Sequence, residues 1–156
     1  MSTERAEKIL SLQLEWVKAA DAKVPPIFAI NVAMLGVIVA LMKALTSWTV
    51  GTAIFTALCL IPLALSIGLI ALAMFPRLSG PKGSNVFFGG ITKKAEAIYL
   101  EEVKTLSDEK YENDLLSQAY RNAEIAETKY AYVKLAFVSS FVSVPFWLVA
   151  IYLLYV

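Results

Sequence analysis

Histidine is absent from this sequence, and cysteine occurs once, at Cys59. The first absence removes the commonest general base and the imidazole metal ligand. The second rules out a disulfide within one chain and, taken with the first, a Cys/His zinc site. A nucleophile elbow, a Walker A loop and a Gly-rich dinucleotide fingerprint are missing too. No catalytic residue, metal ligand or cofactor is therefore assigned, and enzyme is the function class with least support. Charge of one sign is not in excess either: 14 Lys and Arg face 13 Asp and Glu, a net charge of +1. That balance gives no long-range reason to expect nucleic acid as a partner. The opening MSTERAEKILSLQLEW is charged and has no uninterrupted apolar core, so a cleavable signal peptide is not expected.

What the chain has in quantity is apolar surface. Hydrophobic residues make up 58% of its 156 positions, against about 45–50% in soluble domains, and its mean hydropathy is +0.65. So short a chain has too little interior to hide that surface from water. Three stretches lack charge: 24–42, 44–76 and 135–156. A membrane-spanning helix needs about 20 apolar residues. The first and third stretches fit one span each. The second is too long for one, and its start carries Thr46, Ser47, Thr49 and Gly51, so the pattern predicts a hairpin. Its spans fall near 27–46 and 52–75, with a turn near 47–51 and a bend at Pro62.

The expected fold is an all-α membrane protein of three transmembrane helices. An amphipathic helix precedes them, carrying Ile9, Leu10, Leu14 and Val17 at helical spacing to about Ala22, with Pro25-Pro26 breaking it before the membrane. A helix is expected from about Thr92 to Lys104. A last helix, capped by Ser107, is expected to be continuous with the third span. The organisation reads as a cytoplasmic helix (1–24), a transmembrane hairpin (25–76), cytoplasmic loop and helices (77–134) and a third span (135–156). All basic residues except Lys43, and all acidic ones, lie before the first span or between the second and third. By the positive-inside rule both segments are cytoplasmic, and the C-terminus is periplasmic.

Several polar features invite ligand chemistry, each beside a plainer reading. Gly80-Pro-Lys-Gly-Ser84 has the composition of an anion cradle, with Lys82 supplying charge and Ser84 a hydroxyl. As a membrane-proximal turn, it would instead set Arg77 and Lys82 against lipid headgroups. Phe87 and Phe88 could stack on a base or plug between helices. Gln118, Asn122 and Lys129 follow one helical stripe, with Arg121 and Tyr130 beside it. They need partners from a ligand or from the first helix, where Trp16, Lys18, Asp21 and Lys23 wait. An ion pair from Asp21 to Arg121 or Lys129 is the alternative. Asn31, inside the first span, wants a partner from another helix or subunit, and the small Ala29, Ala33 and Gly36 permit close helix association.

Three motifs together resemble one family. Leu14-Glu-Trp-Val-Lys-Ala-Ala-Asp-Ala-Lys23 followed by Pro25-Pro26 is similar to the opening of the transmembrane effectors of the Pycsar antiphage system. Phe75-Pro-Arg-Leu-Ser-Gly-Pro-Lys-Gly-Ser84 with Phe87-Phe88-Gly89-Gly90-Ile91 resembles that family's central loop. Leu116-Ser-Gln-Ala-Tyr-Arg-Asn-Ala-Glu-Ile-Ala-Glu-Thr-Lys-Tyr130 resembles its last cytoplasmic helix. The resemblance implies an effector in the bacterial inner membrane, activated by a cyclic pyrimidine mononucleotide (cCMP or cUMP) from a partner cyclase. It implies loss of inner-membrane integrity and abortive infection. Conduction would need a homo-oligomer, because three helices enclose no useful pore. On this reading Lys82, Ser84, Arg121 and Lys129 are candidates for the phosphate. Trp16, Phe87, Tyr130, Gln118 and Asn122 are candidates for the base, and Asn31 and Gly36 for helix association. The competing expectation is a membrane adaptor whose cytoplasmic helices bind a protein partner.

Overall fold

A computed structural model of the chain describes residues 2–156, the side chain of Ala44 excepted. Six helices follow one another: α1 (Thr3–Ala22), α2 (Val24–Ala44), α3 (Val50–Met74), α4 (Phe88–Ile91), α5 (Glu96–Lys104) and α6 (Asp108–Tyr155). No strand occurs among the described residues. Three helical stretches are long and apolar enough to cross a membrane, the last two being α3 and α6 and the first running through α2. The chain is an all-α membrane protein.

Local chemistry explains where the helices begin and end. The Ser2 carbonyl accepts from the amides of Arg5 (2.9 Å) and Ala6 (3.3 Å), starting α1. Pro25-Pro26 does not open a loop. Proline stands in the first turn of α2, where the amides have no intrahelical acceptor to lose, so it starts a helix without penalty. The expected break shrinks to Lys23, whose own backbone is helical (φ −80°, ψ −17°). Thr49 begins α3 by accepting from the Thr52 amide at 3.1 Å. The hairpin turn thus lies between Ala44 and Val50, two residues earlier than the apolar pattern implies. At 25 residues, α3 is about 37 Å long, enough to cross a hydrocarbon core of about 30 Å at a tilt.

The helix expected over 92–104 starts only at Glu96, as α5, and the separate short α4 lies before the expected range. Lys94 lies between the two. Its ammonium donates to the Gly83 carbonyl (3.2 Å), to Asn85 Oδ1 (2.6 Å) and to the Glu102 carboxylate (2.5 Å). Those bonds fasten this stretch to the preceding loop. By contrast α6 runs for 48 residues without interruption, through Pro145 and into the third span.

The chain forms two compact units. One comprises Pro76–Lys129 with the chain up to Ala20; the other comprises Asp21–Phe75 and Tyr130–Val156. Every charged residue except Asp21, Lys23, Lys43 and Lys134 belongs to the first. In the second, α3 buries Thr52, Thr56, Cys59, Leu63, Ser66, Ile70 and Ala73. Those positions alternate in steps of four and three, the repeat of left-handed coiled-coil packing. Val24, Ile27, Asn31, Met34 and Ile38 on α2 follow the same rhythm, as do Val133, Ala136, Ser140 and Ser143 on α6. Small residues in the α6 seam let backbones approach closely, which is how helices associate in lipid. The outward side of this unit is as apolar as its seams: Phe28, Ile61, Leu65, Phe141 and Leu148 are all exposed. An exterior of that kind needs lipid against it.

Candidate functional site

Three buried polar side chains of the membrane unit meet at one node. Asn31 is fully buried and its amide donates to Ser66 Oγ at 2.7 Å. The Ser66 hydroxyl donates to the Ala136 carbonyl at 2.8 Å, and the Ser140 hydroxyl donates to Asn31 Oδ1 at 2.7 Å. One side chain each from α2, α3 and α6 closes the ring. Asn31 thus has its partners inside the chain. Gly36 faces outward, with nothing near the place where a Cβ would stand. It takes no part in this packing.

In the charged unit the loop after α3 folds tightly on itself. Gly83 takes a positive φ of 73°, a conformation that side chains resist. The Phe87 ring covers Gly80 and Gly89 so closely that a Cβ at either would overlap it. The ring also packs against Phe88, with 4.7 Å between centroids. Ser84 is buried and its hydroxyl oxygen accepts from the amides of Val86 (3.1 Å) and Phe87 (2.8 Å). The Asn85 amide donates to Asp114 Oδ2 at 2.7 Å. Three consecutive amides that could have held an anion are turned inward, with a carboxylate beside them. Gly80 and Gly89 are explained by the close approach of Phe87, and Gly83 by its positive φ.

Two adjoining clefts open where this loop meets α6. One, of about 650 Å³, is lined by Gly80, Pro81, Asn113, Ser117, Tyr120 and Arg121, among others. The other, of about 310 Å³, has Lys82, Ser84, Asn85 and Lys110 in its wall and shares Pro81, Asn113 and Ser117 with the first. Arg121 latches α6 to the loop, donating to the Ser79 carbonyl at 3.0 Å and to the Ser79 hydroxyl. It also pairs with Glu124 at 2.7 Å, one helical turn on. Tyr120 stands beside it, 70% exposed.

The candidates drawn from sequence fall on different surfaces. Lys82, Ser84 and Arg121 come together around Pro81. Gln118, Asn122 and Lys129 do not join them. At about 100° per residue, Asn122 and Lys129 lie on the side of α6 opposite Asn113, Ser117, Tyr120 and Glu124. They belong to the buried seam, which runs Leu115, Ala119, Asn122, Ala126, Lys129. There Asn122 donates to the Gln118 carbonyl at 3.0 Å, and Gln118 Oε1 is buried with no hydrogen-bond partner. Trp16 is exposed on α1. Tyr130 belongs to the membrane unit, where the Lys23 ammonium stands over its ring, 5.0 Å from the centroid. Tyr120, Asn113, Ser117 and Lys110 escaped the reading by sequence. Their signal was present, since 113, 117, 120, 121 and 124 share one helical face, but the stripe at 118, 122 and 129 was more conspicuous.

The family profile described as Pycsar effector protein domain matches residues 5–156. The chain belongs to this family. With three apolar helices it is a transmembrane Pycsar effector, part of an antiviral defence. No curated protein and no solved structure matches it. Among the described residues no group of three or more His, Cys, Asp or Glu could hold a metal ion.

Proposed function

We propose that this Pycsar effector is switched by a cyclic pyrimidine mononucleotide, cCMP or cUMP, bound at the cytoplasmic face, and that the switched state breaches the inner membrane. The supporting observation is the cleft of about 650 Å³ around Arg121, within the roughly 300–1,000 Å³ typical of small-molecule sites. Its chemistry suits the ligand. Arg121, with Lys82 nearby, offers cationic donors to a phosphate. Tyr120 offers a ring face to a base, and Asn113 and Ser117 offer polar edges.

The latch supplies a switch. The Arg121–Glu124 pair is half-exposed, a class of contact worth about 0.3–0.5 kcal/mol. A phosphate displaces it readily, and in taking Arg121 it loosens the tie to Ser79. Ser79 follows α3 closely, and Arg121 sits on the helix that becomes the third span, so the exchange reaches two spans at once. The ligand shifts the equilibrium only by its differential affinity for the loosened state, about 2–3 kcal/mol for a usual coupling. Self-association completes the device. Ala29, Ala33, Gly36 and Ala40 share the outward side of α2, where small residues let a second copy approach.

Calorimetric titration of the detergent-solubilised chain with cCMP and cUMP tests the site. One of the two is expected to bind. Arg121→Ala should weaken binding at least 30-fold, and Glu124→Gln, which frees Arg121, should tighten it a few-fold. Binding untouched by Arg121→Ala would remove the cleft from the account.

A second reading, a membrane adaptor, is favoured by α5. That helix buries none of its residues, and its exposed Leu100 and Val103, one turn apart on one face, form a small apolar patch fit for a protein partner. On that reading Leu100→Asp abolishes defence while nucleotide has no effect on the protein.

A further inference from the structure

The membrane unit carries a groove beside its helix seams, apart from the cleft proposed for the nucleotide. It lies between α2 and α6 and encloses about 540 Å³. Ile27, Ile30 and Met34 form one wall; Phe137, Phe141 and Val144 form the other. The two phenylalanine rings stack along α6, 4.9 Å between centroids. Apart from Ser140 at its floor, polar groups line only one end, where Lys23, Tyr130 and Lys134 meet. The Lys23 ammonium stands 3.5 Å from the Tyr130 hydroxyl.

We propose that this groove is a lipid site: one acyl chain of a bilayer phospholipid lies along the apolar walls, and its anionic headgroup sits among Lys23, Tyr130 and Lys134. Three observations favour this occupant. The lining is cationic at one end and apolar along the rest, the charge order of an anionic phospholipid. The cationic end stands where two spans begin, at headgroup depth. The α6 wall from Val133 to Val144 covers about 17 Å, close to one leaflet of a hydrocarbon core about 30 Å thick. A helix from a second copy would need a groove crossing both leaflets, and this one ends midway. The proposal rests on the membrane-spanning assignment alone and is independent of nucleotide binding.

The test reconstitutes the full chain in nanodiscs of phosphatidylcholine doped with phosphatidylglycerol of the same acyl chains, and counts the lipids retained on extraction into mild detergent. Two lysines near the headgroup predict about a 30-fold preference for phosphatidylglycerol. Lys23→Gln with Lys134→Gln should lose that preference, and Lys134→Arg should keep it. Ile30→Trp, which fills the groove, should expel the retained lipid of either kind. Glycerol phosphate, a headgroup without a chain, should not compete. Equal retention of the two lipids, a preference that survives the double substitution, or a crosslink from Ile30→Cys to a second copy in place of lipid would each overturn the proposal.

Discussion

Asn31 shows how much one amide settles in lipid. Its two hydrogen bonds join α2 to α3 and to α6, and interhelical bonds of this kind contribute on average about 0.6 and at most about 1.7 kcal/mol each. Asn31→Leu is therefore expected to cost about 1–2 kcal/mol, read as a drop of the thermal midpoint in detergent. A leucine variant as stable as the parent would mean that the ring contributes nothing. Tyr111 supplies a pH-dependent contact in the charged unit. Its hydroxyl donates to Glu7 Oε1 at 3.3 Å. Burial first, then the Glu7 charge, its hydrogen bond and the Asp114 charge raise the phenol above its ordinary pKa. A raised folded-state pKa means that the stabilisation is complete below about pH 10, the ordinary tyrosine value, and is lost as pH rises through the folded value. Phenolate titration by absorbance should lose a late-titrating component in Tyr111→Phe. At this scale the sequence was half legible. A lone amide in an apolar run announces that it needs a partner; which serines answer depends on a register between helices that no local pattern carries. Likewise Ser84 and its glycines read as an anion cradle by composition, while Phe87 and Asp114, which occupy that loop, reach it only through the fold.

Among the elements, α6 carries most of the argument. Its buried positions keep the steps of four and three residues from Leu115 to Ser143, and the one helix supplies residues to both units. Its continuity was legible because no breaker stands between Ser107 and Pro145, and its seam was legible in part, as the stripe of Gln118, Asn122 and Lys129. That stripe and the cleft face of Ser117 and Tyr120 stand on different sides of the helix. Helix ends were less legible than helix cores, because a cap such as Thr49 or a proline in a first turn shifts an end without changing hydropathy. If α6 is the lever, breaking it between the units should separate binding from response. Ala131→Pro, at an exposed position, disrupts the helix locally at about 3 kcal/mol. The variant should bind cyclic nucleotide within a few-fold of the parent yet fail to permeabilise vesicles. Loss of binding and response together would place the coupling elsewhere.

For the whole molecule, the charge distribution and the three spans support the proposal that the amino end and the 76–129 segment share the cytosol, where a small internal messenger would reach them. Composition alone carried the three spans, since partition between lipid and water is the largest energy in the system and needs no register to be read. The breach of the membrane is the claim on which the rest depends, and leakage from dye-loaded liposomes containing the purified chain measures it directly. The account predicts release on addition of cCMP or cUMP, one strongly over the other, and no release from the Arg121→Ala protein. Vesicles that stay sealed with both nucleotides, while a known pore former empties the same preparation, would contradict it.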